Sequence, residues 1–187
     1  SSPFDHHVFC IAGDGDMQEG VTSEASSLAG HQKLGNLIVL YDSNQISIED
    51  DTKIAFTEDL EKRYESYGWH VQVVNWRKSG QYHEDMQELF LAIQKAKAET
   101  DKPSLITIRT TIGWPAPSKQ NTGKIHGSAL GAEELAGLKS ALGFDPAKNF
   151  DVSESVINYT RGFRERSSDV RAKWESDFEA WRAANPK

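Results

Sequence analysis

The sequence predicts an α/β fold: a doubly wound parallel sheet, followed by a C-terminal helical extension. Two observations carry that reading. Short apolar runs suited to buried strands recur at Val8–Ala12, Leu37–Asp42, His70–Val74 and Leu105–Arg109, with helical patterns between them. Alternation of this kind is what parallel strands joined by crossovers require. From about Ser153 to Ala184 the chain then becomes charged and helical. The expected division is a domain over residues 1–145 and a helical extension over 146–187.

Each element has its own signal. After the first strand, Val21, Ala25, Leu28 and Ala29 recur at helical spacing. Ala25, Ser26, Ser27, Ala29 and Gly30 make this helix slim, suited to close approach to the sheet or to another subunit. Thr57 reads as the cap of a helix running to about Tyr67, with Glu58 and Asp59 in its first turn and Gly68 as its stop. Met86, Leu89, Phe90, Ile93 and Ala96 form an apolar face on the next helix, and Pro103 leads into the fourth strand. Thr111–Gly127 is a long loop of the sort that often carries function. A helix at about Ala132–Leu142 follows, and Trp174, Phe178 and Trp181 in the tail recur at packing distance along a helix. Four strands are few for such a domain, and the first exposes an edge unless another segment covers it. The chain therefore reads as a fragment, or as a subunit completed in trans.

A length of 187 residues suits one domain with an extension. The net charge of −7 argues against an electrostatic nucleic-acid surface. No apolar run is long enough to span a membrane, and no basic segment followed by an apolar one marks a secretory leader. The single cysteine, Cys10, rules out an internal disulfide and reads as a buried core thiol of the first strand. A reducing cytoplasm is the simplest compartment.

The chemistry concentrates in two short segments. GDGDMQEG at Gly13–Gly20 directly follows the first strand, and YDSNQISI at Tyr41–Ile48 closes the second, with Asn44 thirty positions after Asp14. The pair resembles the metal–diphosphate motif of thiamine diphosphate enzymes. A diphosphate needs a hard cation, and Mg2+ takes oxygen ligands in octahedral array. Asp14 can give a carboxylate oxygen, Asn44 an amide oxygen and Ile46 its main-chain carbonyl. Gly15 lets the backbone approach phosphate and donate its N–H. Both polar side chains would lie beyond the carboxyl ends of adjacent strands, where open α/β sheets bind ligands.

A closer resemblance covers nearly the whole chain. EGVTSEASSLAGHQKLGNLIVLYDSNQISIEDDT, FTEDLEKRYESYGW, KPSLITIRTTIGWPAP, HGSALG and DPAKNFDVSESV are similar to transketolase. The resemblance implies metal ligation by Asp14, Asn44 and Ile46, a diphosphate contact at Gly15 and packing of Ile48 on the thiazolium ring. It implies that His126 contacts both cofactor and donor sugar, as a catalytic and substrate-binding residue. Glu19 and Glu24 match carboxylates between the two active sites of a dimer, and the resemblance implies a catalytic role for them as well; by their position alone they also suit ordinary surface acids near a helix start. Two segments depart from the commoner family wording: NWRKSGQYHED at Asn75–Asp85 and IGWPAPSKQN at Ile112–Asn121.

The expected function is the diphosphate- and Mg2+-binding part of a transketolase, with Ca2+ or Mn2+ as alternative cations. Assembled with the remaining transketolase domains, in cis or trans and as a homodimer, it would move a two-carbon ketol unit between sugar phosphates. No nucleic-acid or membrane partner is expected. The alternatives are another thiamine diphosphate enzyme, of the 1-deoxyxylulose-5-phosphate synthase kind, and a cofactor-binding module that is not catalytic by itself.

Overall fold

Four parallel strands form the sheet: β1 (Val8–Gly13), β2 (Leu37–Ser43), β3 (His70–Asn75) and β4 (Ser104–Arg109), in the order β1-β2-β4-β3. A computed structural model describes residues 2–186, apart from the Ser79 side chain. Between β1 and β2 lie α1 (Asp14–Gln18) and α2 (Gly20–His31); α3 (Leu60–Ser66) precedes β3 and α4 (Met86–Ala98) precedes β4. After β4 come α5 (Ala132–Ala141), α6 (Glu154–Arg161) and α7 (Phe163–Ala184). The chain divides into two compact units: His7–Pro146, and Ser1–His6 with Ala147–Lys187.

The two inner strands read as continuous apolar runs because both their faces are covered. On one face Val39, Tyr41 and Leu105 pack with Met17, Ala29, Leu60, Tyr64 and Trp69. On the other Ile38, Ile106 and Ile108 pack with Ala92 and Ala96 of α4. This is the doubly wound parallel arrangement expected.

The outer strand β1 behaves differently. Its side chains stand largely in solvent, with Ile11 78% exposed. Cys10 is exposed with them, not a core thiol, because β1 is an edge strand with little packed beyond it. Helix α2 also turns over the expected pattern. Val21 (68%) and Leu28 (58%) face outward, and Ser26 and Ala29 face the core. Tyr64 and Trp69 reach the helix through its polar atoms: Ser26 Oγ donates to the Tyr64 hydroxyl at 2.9 Å, and Trp69 Nε1 donates to the Ser26 carbonyl at 2.8 Å. Gly30 lets the helix close on the turn before β3, since a Cβ there would lie 1.9 Å from the Tyr67 carbonyl oxygen.

Three further details depart from expectation. The cap of α3 is Asp59, whose carboxylate accepts from the Lys62 N–H at 3.1 Å, so the helix starts later than Thr57 predicts. On α4 the covered face centres on Ala92 and Ala96, while Met86 and Phe90 are exposed. The tail is two helices, which meet at Gly162. Within the second unit, Trp174, Phe178 and Trp181 stack along α7, Phe4 meets Trp181 edge-on at 5.0 Å, and Trp174 Nε1 donates to the Pro3 carbonyl at 2.8 Å.

Candidate functional site

Strand register builds the site. Gly13 pairs with Asp42 across β1 and β2, so the residues that leave both strands, Asp14 and Asn44, emerge side by side at the carboxyl ends. Asp14 opens α1, and the Asp16 carboxylate reaches back to accept from the Gly13 N–H at 2.8 Å, which holds the turn. Asp14 is only 7% exposed. Its Oδ1 accepts from the Tyr41 hydroxyl at 2.7 Å, and its Oδ2 from the N–H groups of Asn44 at 3.1 Å and Gln45 at 2.8 Å. Burial nonetheless raises the Asp14 pKa, against the lowering effect of these hydrogen bonds.

Asn44 and Ile46 stand on the turn whose N–H groups bind Asp14, and add an amide and a main-chain oxygen to it. Asn44 Oδ1 accepts from the Ile46 N–H at 2.9 Å, which folds the segment into a tight turn. Both residues are buried, and among the described residues no donor reaches the Ile46 carbonyl. The Gln45 between them takes a left-handed backbone, φ 65°.

These residues fit a hard divalent cation. The donors are all oxygen. A carboxylate has about four lone-pair sites, so Asp14 retains capacity beyond its three hydrogen bonds. Asp14 is desolvated without an ion-pair partner among the described residues, a state that a bound cation would relieve. Among those residues no cluster of three His, Cys, Asp or Glu side chains offers a metal a different kind of site.

The other expected residues surround this group unevenly. Gly15 is exposed, and a Cβ there would meet nothing within 4 Å, so the backbone is open to an incoming group. Ile48 is 71% exposed and offers an apolar surface to solvent. His126 is half-buried, follows a short 3-10 turn (Gly123–Ile125) and donates its backbone N–H to the Gly123 carbonyl at 3.1 Å. Its imidazole makes no hydrogen bond among the described residues. That turn rests on the segment bearing Ile48, since a Cβ on Gly123 would lie 2.8 Å from the Glu49 carbonyl oxygen and 3.3 Å from that of Ile48. Glu19 and Glu24 are both exposed and stand outside the oxygen group. Glu19 occupies the junction of α1 and α2; Glu24 lies in the outward stripe of Val21, Ala25 and Leu28.

Sequence reasoning missed Tyr41, Ser43, Glu61 and Arg109. Arg109 donates to Ser43 Oγ at 2.8 Å and to Glu61 at 2.9 Å, and all four residues line a cleft of about 490 Å3 beside Asp14. Tyr41 and Ser43 lie in an apolar strand and could be found only through the strand alternation that turns Tyr41 to the Asp14 side. Glu61 and Arg109 are distant in sequence and carry no local signal.

The chain is thus a doubly wound α/β domain with oxygen donors beyond the carboxyl ends of adjacent parallel strands, the place where open α/β sheets bind ligands. The chain belongs to the family described as transketolase, thiamine diphosphate binding domain, whose pattern matches residues 1–187. It is 55% identical over 187 residues to the transketolase of Mycobacterium leprae, and 44% identical over 184 residues to transketolase 2 of Saccharomyces cerevisiae. These matches cover 100% and 98% of the chain but 26% of each relative. Among solved structures it is similar to the transketolase of Leishmania mexicana, with a TM-score of 0.85 and 41% identity over 98% of the chain and 27% of that structure. A Pichia stipitis transketolase in complex with sedoheptulose-7-phosphate gives a TM-score of 0.86 at 39% identity, covering 97% of the chain and 26% of that structure. The chain thus spans about a quarter of the length of these relatives.

Proposed function

We propose that the chain is the part of a ketol-transferring enzyme that holds thiamine diphosphate by its charged end. The observation that carries this is the group of Asp14, Asn44 and the Ile46 carbonyl, which offers hard oxygens at the carboxyl ends of adjacent strands. Asp14 and Asn44 would hold Mg2+ with the Ile46 carbonyl, and the Gly15 N–H would donate to the diphosphate. When bound, thiamine diphosphate supplies the carbanion chemistry of two-carbon transfer. Ile48 would cover the ring of the cofactor and exclude water from it. His126, with an uncommitted imidazole, would donate to the oxygens of a donor sugar and steady charge as its carbon–carbon bond breaks.

The substrates would be sugar phosphates, the class named for the Pichia stipitis complex. The partners would be the remaining transketolase domains and a second copy of the assembly. The stripe of Val21, Glu24, Ala25 and Leu28 supports a two-fold contact through α2, with Glu19 and Glu24 near the junction. A reducing cytoplasm suits the unpaired Cys10 thiol.

The test is ketol transfer from a ketose phosphate to an aldose phosphate, read together with sedimentation. The lone chain should transfer nothing. With the remaining domains supplied it should sediment as a two-fold assembly and transfer ketol. Full activity from a monomer of these 187 residues would refute the proposal, as would an active assembly that sediments with a single copy.

A further inference from the structure

The two segments set apart by their wording, Asn75–Asp85 and Ile112–Asn121, meet each other. Arg77, from the first, donates through Nη2 to Asn121 Oδ1 at 3.1 Å. Tyr82 of the first and Trp114 of the second bring their ring centroids to 4.9 Å. The same guanidinium donates through Nη1 to Gln45 Oε1 at 3.3 Å. Gln45 stands between Asn44 and Ile46, and Asn121 lies five positions before His126. One side chain therefore ties the turn carrying the oxygen donors to the loop carrying His126.

The rest of the geometry shows a built connection. Both acceptors sit on left-handed backbone: φ 65° at Gln45, a conformation uncommon for a residue of its type, and φ 57° at Asn121, where asparagine is readily accommodated. Arg77 is itself anchored, its backbone N–H donating to Asn75 Oδ1 at 2.9 Å. Among the described residues it makes no ion pair, so its planar fork serves two neutral amides. Farther along the loop, the approach of Gly123 to the Glu49 carbonyl supplies a second point of contact between the same two segments.

We propose that Arg77 is a positioning residue, clasping the Asn44–Ile48 turn to the His126 loop and so setting where His126 stands. The inference rests on the role proposed above for His126.

The test uses the chain assembled with the remaining transketolase domains. In Arg77→Ala, amide hydrogen exchange should rise roughly tenfold in residues 45–48 and 121–126 together, the effect expected of two lost hydrogen bonds. Turnover should fall roughly tenfold, while thiamine diphosphate affinity in Mg2+ stays within about threefold. In a His126→Ala background, Arg77→Ala should cost no further turnover, because the clasp acts through that histidine. Asn121→Gly, which suits the left-handed backbone, should give the same pattern from the acceptor side. Unchanged exchange in either segment would overturn the clasp, and so would a multiplicative loss in the double variant. If exchange rises while His126→Ala alone leaves turnover intact, the clasp stands and the role of His126 is what fails.

Discussion

Asp14 is buried because a phenol and two backbone N–H groups replace the water it loses. That exchange leaves a carboxyl whose pKa burial still raises, and a cation is the natural complement. Asp14 and Asn44 were legible in the sequence because each directly follows a strand, so one-dimensional spacing translates into adjacency. Tyr41 was hidden by its apolar neighbours, and Cys10 was misread because an apolar run looks like core even in a strand whose edge position the sequence suggests. His126 carries the residue-scale prediction. In the assembled enzyme, His126→Ala should lower turnover by on the order of a hundredfold, the usual contribution of one proton-donating or charge-stabilising group. Cofactor affinity, measured in parallel, should fall far less. Turnover within about threefold of the parent would show that His126 does not touch the reacting atoms.

At the scale of elements, all four strands could be read from the sequence because their apolar runs are bounded by turns and separated by helices. The orientation of α2 could not. Val21 and Leu28 look like core by hydrophobicity, yet the helix turns Ser26 and Ala29 inward because Tyr64 and Trp69 fill the space beside it and bond to Ser26. Competing caps explain the late start of α3: Thr57 and Asp59 both suit the role, and Asp59 takes it. Gly30 tests this packing. Alanine would gain helix propensity of about 1 kcal/mol, but its Cβ would lie 1.9 Å from the Tyr67 carbonyl, a backbone atom that no rotamer change can move. Overpacking typically costs about 1–3 kcal/mol, so Gly30→Ala should be destabilising on balance. Urea denaturation should show a lower midpoint with an unchanged slope; an equal or higher midpoint would mean that α2 has room to shift.

For the whole molecule, the exposed side chains of β1 and the outward stripe of α2 are surfaces that the chain does not cover itself. Only about a quarter of the length of its relatives is represented here, and the proposed activity is accordingly assigned to the assembly. What the proposed function assigns to this chain is the hold on the cofactor through a cation. Calorimetric titration of the assembled protein with thiamine diphosphate, with and without Mg2+, tests that hold most directly. The parent should bind tightly only with Mg2+. Asn44→Ala should weaken that binding through loss of an amide oxygen, and Asp14→Ala should abolish its dependence on Mg2+ by removing the ionisable ligand. Mg2+-dependent affinity in Asp14→Ala equal to that of the parent would contradict the account.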